Sequence, residues 1–464
     1  MKYRILFFIL VFAGFWSCKP ELNEFVASKG SADFSVYVAS GNSLTAGFTD
    51  GALYKSAQEN SYAAILAKQL EKVGRQGTFN IPFISSEDGV GTRGSALVTK
   101  MKMGFSTDCL GVTSLAPVLS NPSASQQELF QLLGTSVAAN GPFHNVGVPG
   151  AKVGHLLAPG YGQLNPFFGR FASSATSSVI EEALATQPSF FTLWIGNNDV
   201  LGYATSGGVG DVITPVAGNP GLGFAASYEA LIQSFKQTAT AGAVANIPDV
   251  TSAPFFTTVP YNPIVLTDTM LVNALNAAYA QYNGGMESIG KPYRISFALG
   301  QNPLVIEDPG MDIPEGMPLP KIRQIKSTEL VLLTIPQDAL KCQQMGSVVP
   351  VPNQYILTES EITAVSQATE AFNQIIAAAA TTHNLAFVDA NAYMKMAANG
   401  GIKMDGVTFT NKFVTGNIFS TDGVHLSPQG NALVANYFID AINSKYSASI
   451  PKVNVSEYQA VIIP

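Results

Sequence analysis

An aspartate and a histidine stand three residues apart in Thr421-Asp422-Gly423-Val424-His425-Leu426-Ser427-Pro428, just ahead of a helical stretch. At that spacing the carboxylate can sit beside one imidazole nitrogen. The other nitrogen is then free to take a proton from a hydroxyl. A suitable hydroxyl lies far upstream, in Gly41-Asn42-Ser43-Leu44-Thr45-Ala46-Gly47, where a short β-type run stops at a glycine. A serine just past a strand, on a tight turn into a helix, exposes its Oγ and leaves backbone N–H groups free to hold an oxyanion. The chemistry these residue types support is acyl transfer through a covalent serine.

Two further pieces lie between them. Asn145-Val146-Gly147-Val148-Pro149-Gly150 can bring a glycine N–H close to a substrate, and Gly196-Asn197-Asn198-Asp199 sets a side-chain amide just after the apolar run FFTLWI. In open parallel sheets the strand C-termini are where ligands bind. Each piece alone is an ordinary turn, since Gly and Asn are the usual turn residues. The Ser43 turn is also not the G-x-S-x-G elbow, because Thr45 replaces its second glycine.

The elements that must position these residues follow from periodicity. Apolar runs at 33–40, 190–195, 254–259 (PFFTTV) and 385–389 read as strands. A helix opens at Tyr62 behind Asn60 or Ser61, and others cover about 179–186, 228–241 and 430–446. Thr358 with Glu361 three residues on reads as a capping box, opening a long Ala-rich helix to about Thr382. Continuous apolar strands alternating with helices predict an α/β fold with a parallel sheet covered on both faces. Stretches 75–143, 201–225 and 297–355 break the rhythm with Gly, Pro, Ser and Asn and read as insertions. The third, containing IRQIKSTELVLLTI, is expected to carry strands of its own.

Composition narrows the function classes. Of 464 residues 47% are hydrophobic and 12% charged, which excludes a disordered chain and supplies a sizeable core. A net charge of −7 without any Lys/Arg-rich run argues against nucleic acid as a partner. The 3 cysteines form neither a disulfide scaffold nor a CxxC metal site, and acyl transfer through a covalent serine needs no metal or organic cofactor. Residues 1–17 read as an export signal: Lys2 and Arg4 precede an apolar segment, Ile5 to Trp16, too short to span a bilayer. Ser17-Cys18 resembles the cleavage site of bacterial lipoproteins, in which the cysteine is acylated. An ordinary cleaved signal is the alternative. Residues 18–32 then read as a tether. Cys109 and Cys342 would lie in a compartment that permits a disulfide, and the sequence leaves their pairing open.

Taken in order, GNSLTAG, NVGVPGA, GNND and DGVHL resemble the sequence blocks of the SGNH hydrolases, also called the GDSL esterase/lipase family. The likeness runs from Asp33 to about Tyr446, leaving 447–464 as a C-terminal tail. It implies a flavodoxin-like three-layer α/β/α sandwich around a parallel sheet of about five strands, with the long stretches as insertions. It also implies Ser43 as nucleophile, His425 as general base and Asp422 as its orienting partner. The oxyanion donors would be the Ser43 N–H, the Gly150 N–H and the Asn198 side chain. Two residues depart from the family pattern: Asn42 stands for an aspartate and Asn197 for a glycine. The expected protein is an exported serine esterase or lipase, anchored through Cys18 in the bacterial cell envelope as an outer-membrane lipoprotein facing the periplasm or the cell surface. Its partners would be an acyl ester and, through the anchor, the membrane. Phe48, Val200 and Leu201 are candidates either for an acyl pocket or for ordinary core. The alternatives are a carbohydrate O-acetyl esterase and a non-catalytic glycan-binding lipoprotein.

Overall fold

The computed structural model describes residues 25–464, so the export signal and Cys18 lie outside the described residues. Five strands form the central sheet: β1 (Tyr37–Gly41), β2 (Asn145–Gly147), β3 (Phe190–Trp194), β4 (Ala241–Ala245) and β5 (Ala386–Val388). Their order is β5-β4-β3-β1-β2, and every neighbouring pair is parallel. This is the flavodoxin-like order, 2-1-3-4-5, in which the winding direction reverses between β1 and β3. The register sets Gly41 level with Trp194 and with Gly147.

Alternation along each strand feeds two helical layers. On one face α2 (Tyr62–Glu71) and α7 (Pro428–Tyr446) pack together, with Tyr62 stacked on Phe438 at 4.9 Å and edge-on to Trp194 of β3 at 5.5 Å. On the other, α3 (Val179–Ala185), α5 (Phe224–Phe235) and α6 (Glu359–Thr382) cover the sheet, and Phe191 of β3 stacks on Phe235 at 4.5 Å. The fold is therefore a three-layer α/β/α sandwich, as expected. The capping boxes that open α3 (Ser178, Glu181) and α6 (Thr358, Glu361) are both formed.

One expected strand is not a strand. Residues 254–259 begin with a single helical turn, Pro254–Thr257. Proline is suited to that first position, since its missing N–H is not needed there. The strand serving this part of the sheet is β4, AGAVA, which the periodicity left unassigned apart from Ala241, read as the end of the preceding helix. Alanine and glycine are poor strand formers in isolation, but β4 is a fully buried interior strand. A Cβ on Gly242 would come within 2.4 Å of the Phe191 ring, so packing against that ring demands the small residue. The preceding helix, α5, stops at Phe235.

The irregular stretches hold local order. Within 75–143 two antiparallel hairpins form, Gly91–Arg93 with Ala96–Val98 and Met101–Thr107 with Thr113–Leu119, followed by a helix, Gln126–Gly134. Within 297–355, Val305–Glu307 pairs with Ile322–Gln324, and Gly300–Asn302 pairs back to Ile264–Leu266. Around these strands lie small apolar clusters separate from the main core. Cys109, at the tip of the longer hairpin, is disulfide-bonded to Cys342, so the pairing left open by the sequence joins two insertions 233 positions apart. At the ends of the described chain, Ser28 bridges to Ser449, and Val455 is fully buried against the core. No helix among the described residues is long and apolar enough to cross a membrane.

Candidate active site

Ser43 leaves the sheet two residues after β1 and opens α1 (Ser43–Ala46). Asn42 caps that turn, its Oδ1 accepting the Leu44 N–H at 3.0 Å, and Gly47 closes it in the left-handed region at φ +83°. The tight geometry also needs Gly147 on β2, where a Cβ would lie 2.3 Å from the Ala46 nitrogen. The serine is thus held by backbone constraints on both sides.

His425 comes from the loop before α7. Ser427 caps that helix by accepting the Gly430 N–H at 2.9 Å, and Pro428 follows at its first position. Asn431 of α7 accepts the Tyr62 N–H at 3.0 Å, which ties the loop's helix to α2. The loop reaches the serine across 382 positions of sequence. Ser43 Oγ lies 2.9 Å from His425 Nε2, and His425 Nδ1 lies 2.8 Å from Asp422 Oδ2. The three side chains expected to act together form one unbroken hydrogen-bonded line.

The Asp422 carboxylate accepts four further bonds. Oδ2 takes the Gly51 N–H at 2.8 Å, and Oδ1 takes the Ser420 hydroxyl at 3.2 Å, the Val424 N–H at 2.9 Å and the His425 N–H at 2.8 Å. Burial by itself pushes this carboxyl up. The charge and hydrogen bonds of His425, with the Val424 N–H, overcome that effect and hold it below the ordinary carboxylate range. An ionised Asp422 keeps the proton on Nδ1 and leaves Nε2 as the acceptor for the serine. Asp50 backs the loop from behind. It sits at φ +56°, takes the Thr421 N–H and hydroxyl at 3.0 and 2.8 Å, and takes the Tyr54 hydroxyl at 2.8 Å. Burial raises its carboxyl.

The expected oxyanion donors follow the C-terminal ends of three neighbouring strands, β1, β2 and β3. Among the described residues neither the Ser43 N–H nor the Gly150 N–H is bonded to an acceptor. Asn198 follows β3 as the first residue of α4 (Asn198–Thr205), and its amide donates one N–H to the Ala151 carbonyl at 2.9 Å. One amide hydrogen remains, and the bond ties Asn198 to the segment carrying Gly150. Asp199 is fully buried; its Oδ2 takes the Val153 N–H at 3.0 Å, and burial pushes its carboxyl up to about 6.

The two residues that depart from the family pattern meet each other. Asn42 Nδ2 donates to Asn197 Oδ1 at 2.9 Å, both side chains being buried. An aspartate at 42 has no N–H to give, and a glycine at 197 has no side chain to accept one. The departures are a complementary pair that joins the turn after β1 to the turn after β3.

These residues line a cleft of about 60 Å³ formed by Asn42, Ser43, Asn197, Asn198 and His425, with Leu201 on its apolar side. Phe48 instead packs its ring on the His425 ring, at 4.7 Å between centroids, and Val200 is fully buried in the core. Sequence reasoning missed Gly51, which bonds Asp422, and Asp50, which bonds Thr421, because no local pattern marks a contact across about 370 positions; it also missed Ser420, two residues before Asp422. Among the described residues no group of His, Cys, Asp or Glu is placed to hold a metal ion.

No family model and no curated protein matches the chain. Solved structures with a similar course include LAE5, an α/β hydrolase enzyme from the metagenome of Lake Arreo, Spain (12% identity, 89% of this chain and 96% of that one, TM-score 0.32). A GDSL-like lipase from Parabacteroides merdae is 12% identical over 90% and 99% of the two chains, with TM-score 0.33. An extracellular lipase from Streptomyces rimosus is 13% identical over 89% and 99%, with TM-score 0.30.

Proposed function

We propose that the chain is a serine ester hydrolase of the SGNH type. The observation that carries this reading is the continuous line from Asp422 through His425 to Ser43, with bonds of 2.8 and 2.9 Å. It lies at the C-terminal sheet edge where the winding direction reverses between β1 and β3, the expected crevice of a doubly wound sheet. Ser43 Oγ attacks the ester carbonyl carbon while its proton passes to His425 Nε2. The resulting oxyanion takes hydrogen bonds from the Ser43 and Gly150 N–H groups and from the remaining Asn198 amide hydrogen. As the carbon–oxygen bond to the alcohol breaks, the imidazolium returns the proton to the departing oxygen and the acyl group stays on Ser43. Water attacks that acyl-enzyme with the same imidazole as base, releasing the acid and restoring the serine. Asp422 keeps the ring oriented and stabilises its cation, and is not itself protonated.

A fluorophosphonate probe tests the reading directly, because only an activated serine is labelled. Wild type should label and hydrolyse a short aryl ester, and Ser43→Ala should do neither while melting as a folded protein. Unchanged labelling in Ser43→Ala would overturn the assignment.

The protein is further proposed to be exported and held on the envelope by a lipid on Cys18, a residue outside the described part of the chain. The support is the leader-plus-cysteine pattern of residues 1–18. Wild type should partition with membranes, and Cys18→Ala should remain unprocessed. A soluble wild-type protein with an unmodified mature N-terminus would remove the anchor.

A further inference from the structure

Behind the catalytic cleft lies a second cavity of about 90 Å³, lying between the C-terminal ends of β3, β4 and β5 and the helix α7. The two cavities share the walls Leu44, Pro248, Met394, Phe419 and Val424. Leu44 follows the proposed nucleophile and Val424 precedes the proposed base, so the second space begins where a bound acyl group would point away from them. Ile402, Leu433 and Val434 line this cavity and not the catalytic cleft. No charged, amide, serine or threonine side chain lines it, and the Trp194 indole N–H is already spent on the Asn246 carbonyl at 3.0 Å. A space of this size between well-packed layers is far larger than the one-water voids usual in protein interiors.

We propose that this cavity receives the acyl chain, and that the substrates are esters of medium-chain fatty acids of about six carbons, not acetate esters. The inference rests on Ser43 being the nucleophile. Its size argument is direct. An apolar cavity of about 150 Å³ holds benzene, so one of 90 Å³ holds about four carbons. The ester carbonyl and the adjoining methylene occupy the cleft in front. An acetyl group ends in that cleft and leaves the cavity unused. A sugar in the cavity would leave its hydroxyls without partners there, apart from those of Tyr393 and Tyr437.

The test is kcat/KM of the full-length protein on p-nitrophenyl esters from acetate to dodecanoate. Each methylene entering the cavity should raise kcat/KM about fourfold, up to about six carbons, after which the gain should stop. Val434→Phe puts a ring into the cavity and should lower hexanoate turnover at least tenfold with acetate turnover unchanged. Ile402→Ala lengthens the cavity and should move the preferred chain up by one to three carbons; it decides the matter if Val434→Phe also loses acetate turnover. Acetate turned over as well as hexanoate by wild type, or a preferred length unmoved in Ile402→Ala, would overturn the acyl pocket while leaving the esterase standing. No turnover of any ester, together with no fluorophosphonate labelling, would overturn the reading of Ser43 and the pocket with it.

Discussion

Replacing Asp422 by asparagine changes one atom's chemistry with little change in shape. The carboxylate now accepts five donors: two on Oδ2, from Gly51 N–H and His425 Nδ1, and three on Oδ1, from Ser420, Val424 and His425 N–H. An asparagine has one accepting oxygen. With its NH2 at the Oδ1 position it would face two fixed backbone N–H groups, so the favoured orientation keeps the carbonyl there and turns NH2 toward Gly51 and His425. The imidazole must then accept at Nδ1 and carry its proton on Nε2, the atom that should take the proton of Ser43. A triad locked in that tautomer loses about 10⁴ in kcat, equivalent to about 5.4 kcal/mol of barrier. The Gly51 N–H is left facing an N–H group, which costs about 1–3 kcal/mol of stability. The assay is kcat on a short aryl ester at pH 7 to 8, beside a thermal melt and the imidazole tautomer read from ¹⁵N shifts. The protein should remain folded with Nε2 protonated. A variant within tenfold of wild-type kcat, or one retaining the Nδ1–H tautomer, would refute this reasoning. The same substitution has a pH signature. Because the folded-state value of Asp422 lies below the unfolded value of about 3.9, its stabilisation is complete above that pH and is lost as pH falls further. Asp422→Asn should therefore unfold less steeply than wild type below about pH 4.

Asn198→Ala removes a proposed oxyanion donor and should lower kcat by about 10² to 10³ with little change in KM. It should also lower Tm slightly through the lost bond to Ala151, and lost stability with unchanged kcat would leave only that structural role. Asp50→Ala should cost both stability and kcat, since alanine strains at φ +56° and releases Thr421, whereas Asp50→Asn should recover most of each because asparagine tolerates that conformation. Equal losses in both variants would argue against the positioning role. Asp199 titrates the opposite way from Asp422: raised to about 6 in the fold, it weakens stability as pH rises from about 4 through 6, by roughly 2–3 kcal/mol. Asp199→Asn keeps an oxygen for Val153 N–H and should flatten that part of the Tm-against-pH curve; an unaltered curve would show that the buried group does not titrate there. Reducing the Cys109–Cys342 link, or replacing both residues by serine, should lower stability by about 2–5 kcal/mol, read as denaturant midpoint with and without reductant.

Each piece of the candidate site is a local turn signal in the sequence, and it was the order of the four pieces, resembling the SGNH blocks, that joined them. A serine between Gly41 and Gly47, an Asp and a His three apart, and an amide after FFTLW each declare a turn at a strand or helix end within a few residues. The same holds for Thr358 with Glu361, whose capping box needs no distant partner, and for the buried run of β3. What the sequence could not determine is whatever depends on which surfaces meet. AGAVA is a strand because it lies paired and buried in the sheet interior, where the Phe191 ring leaves room only for glycine at 242, and nothing local in those five residues marks a strand. Asn42 and Asn197 look like two separate departures from a pattern until β1 and β3 lie side by side and one amide reaches the other. Gly51 holds Asp422 from 371 positions away, and the cavity behind Leu44 is bounded by residues spread from the first turn to the last helix. Turn geometry is set by backbone sterics and short-range hydrogen bonds, which a few adjacent side chains control. Cavities, distant hydrogen bonds and interior strands are set by the packing of whole layers, so only the folded chain decides them.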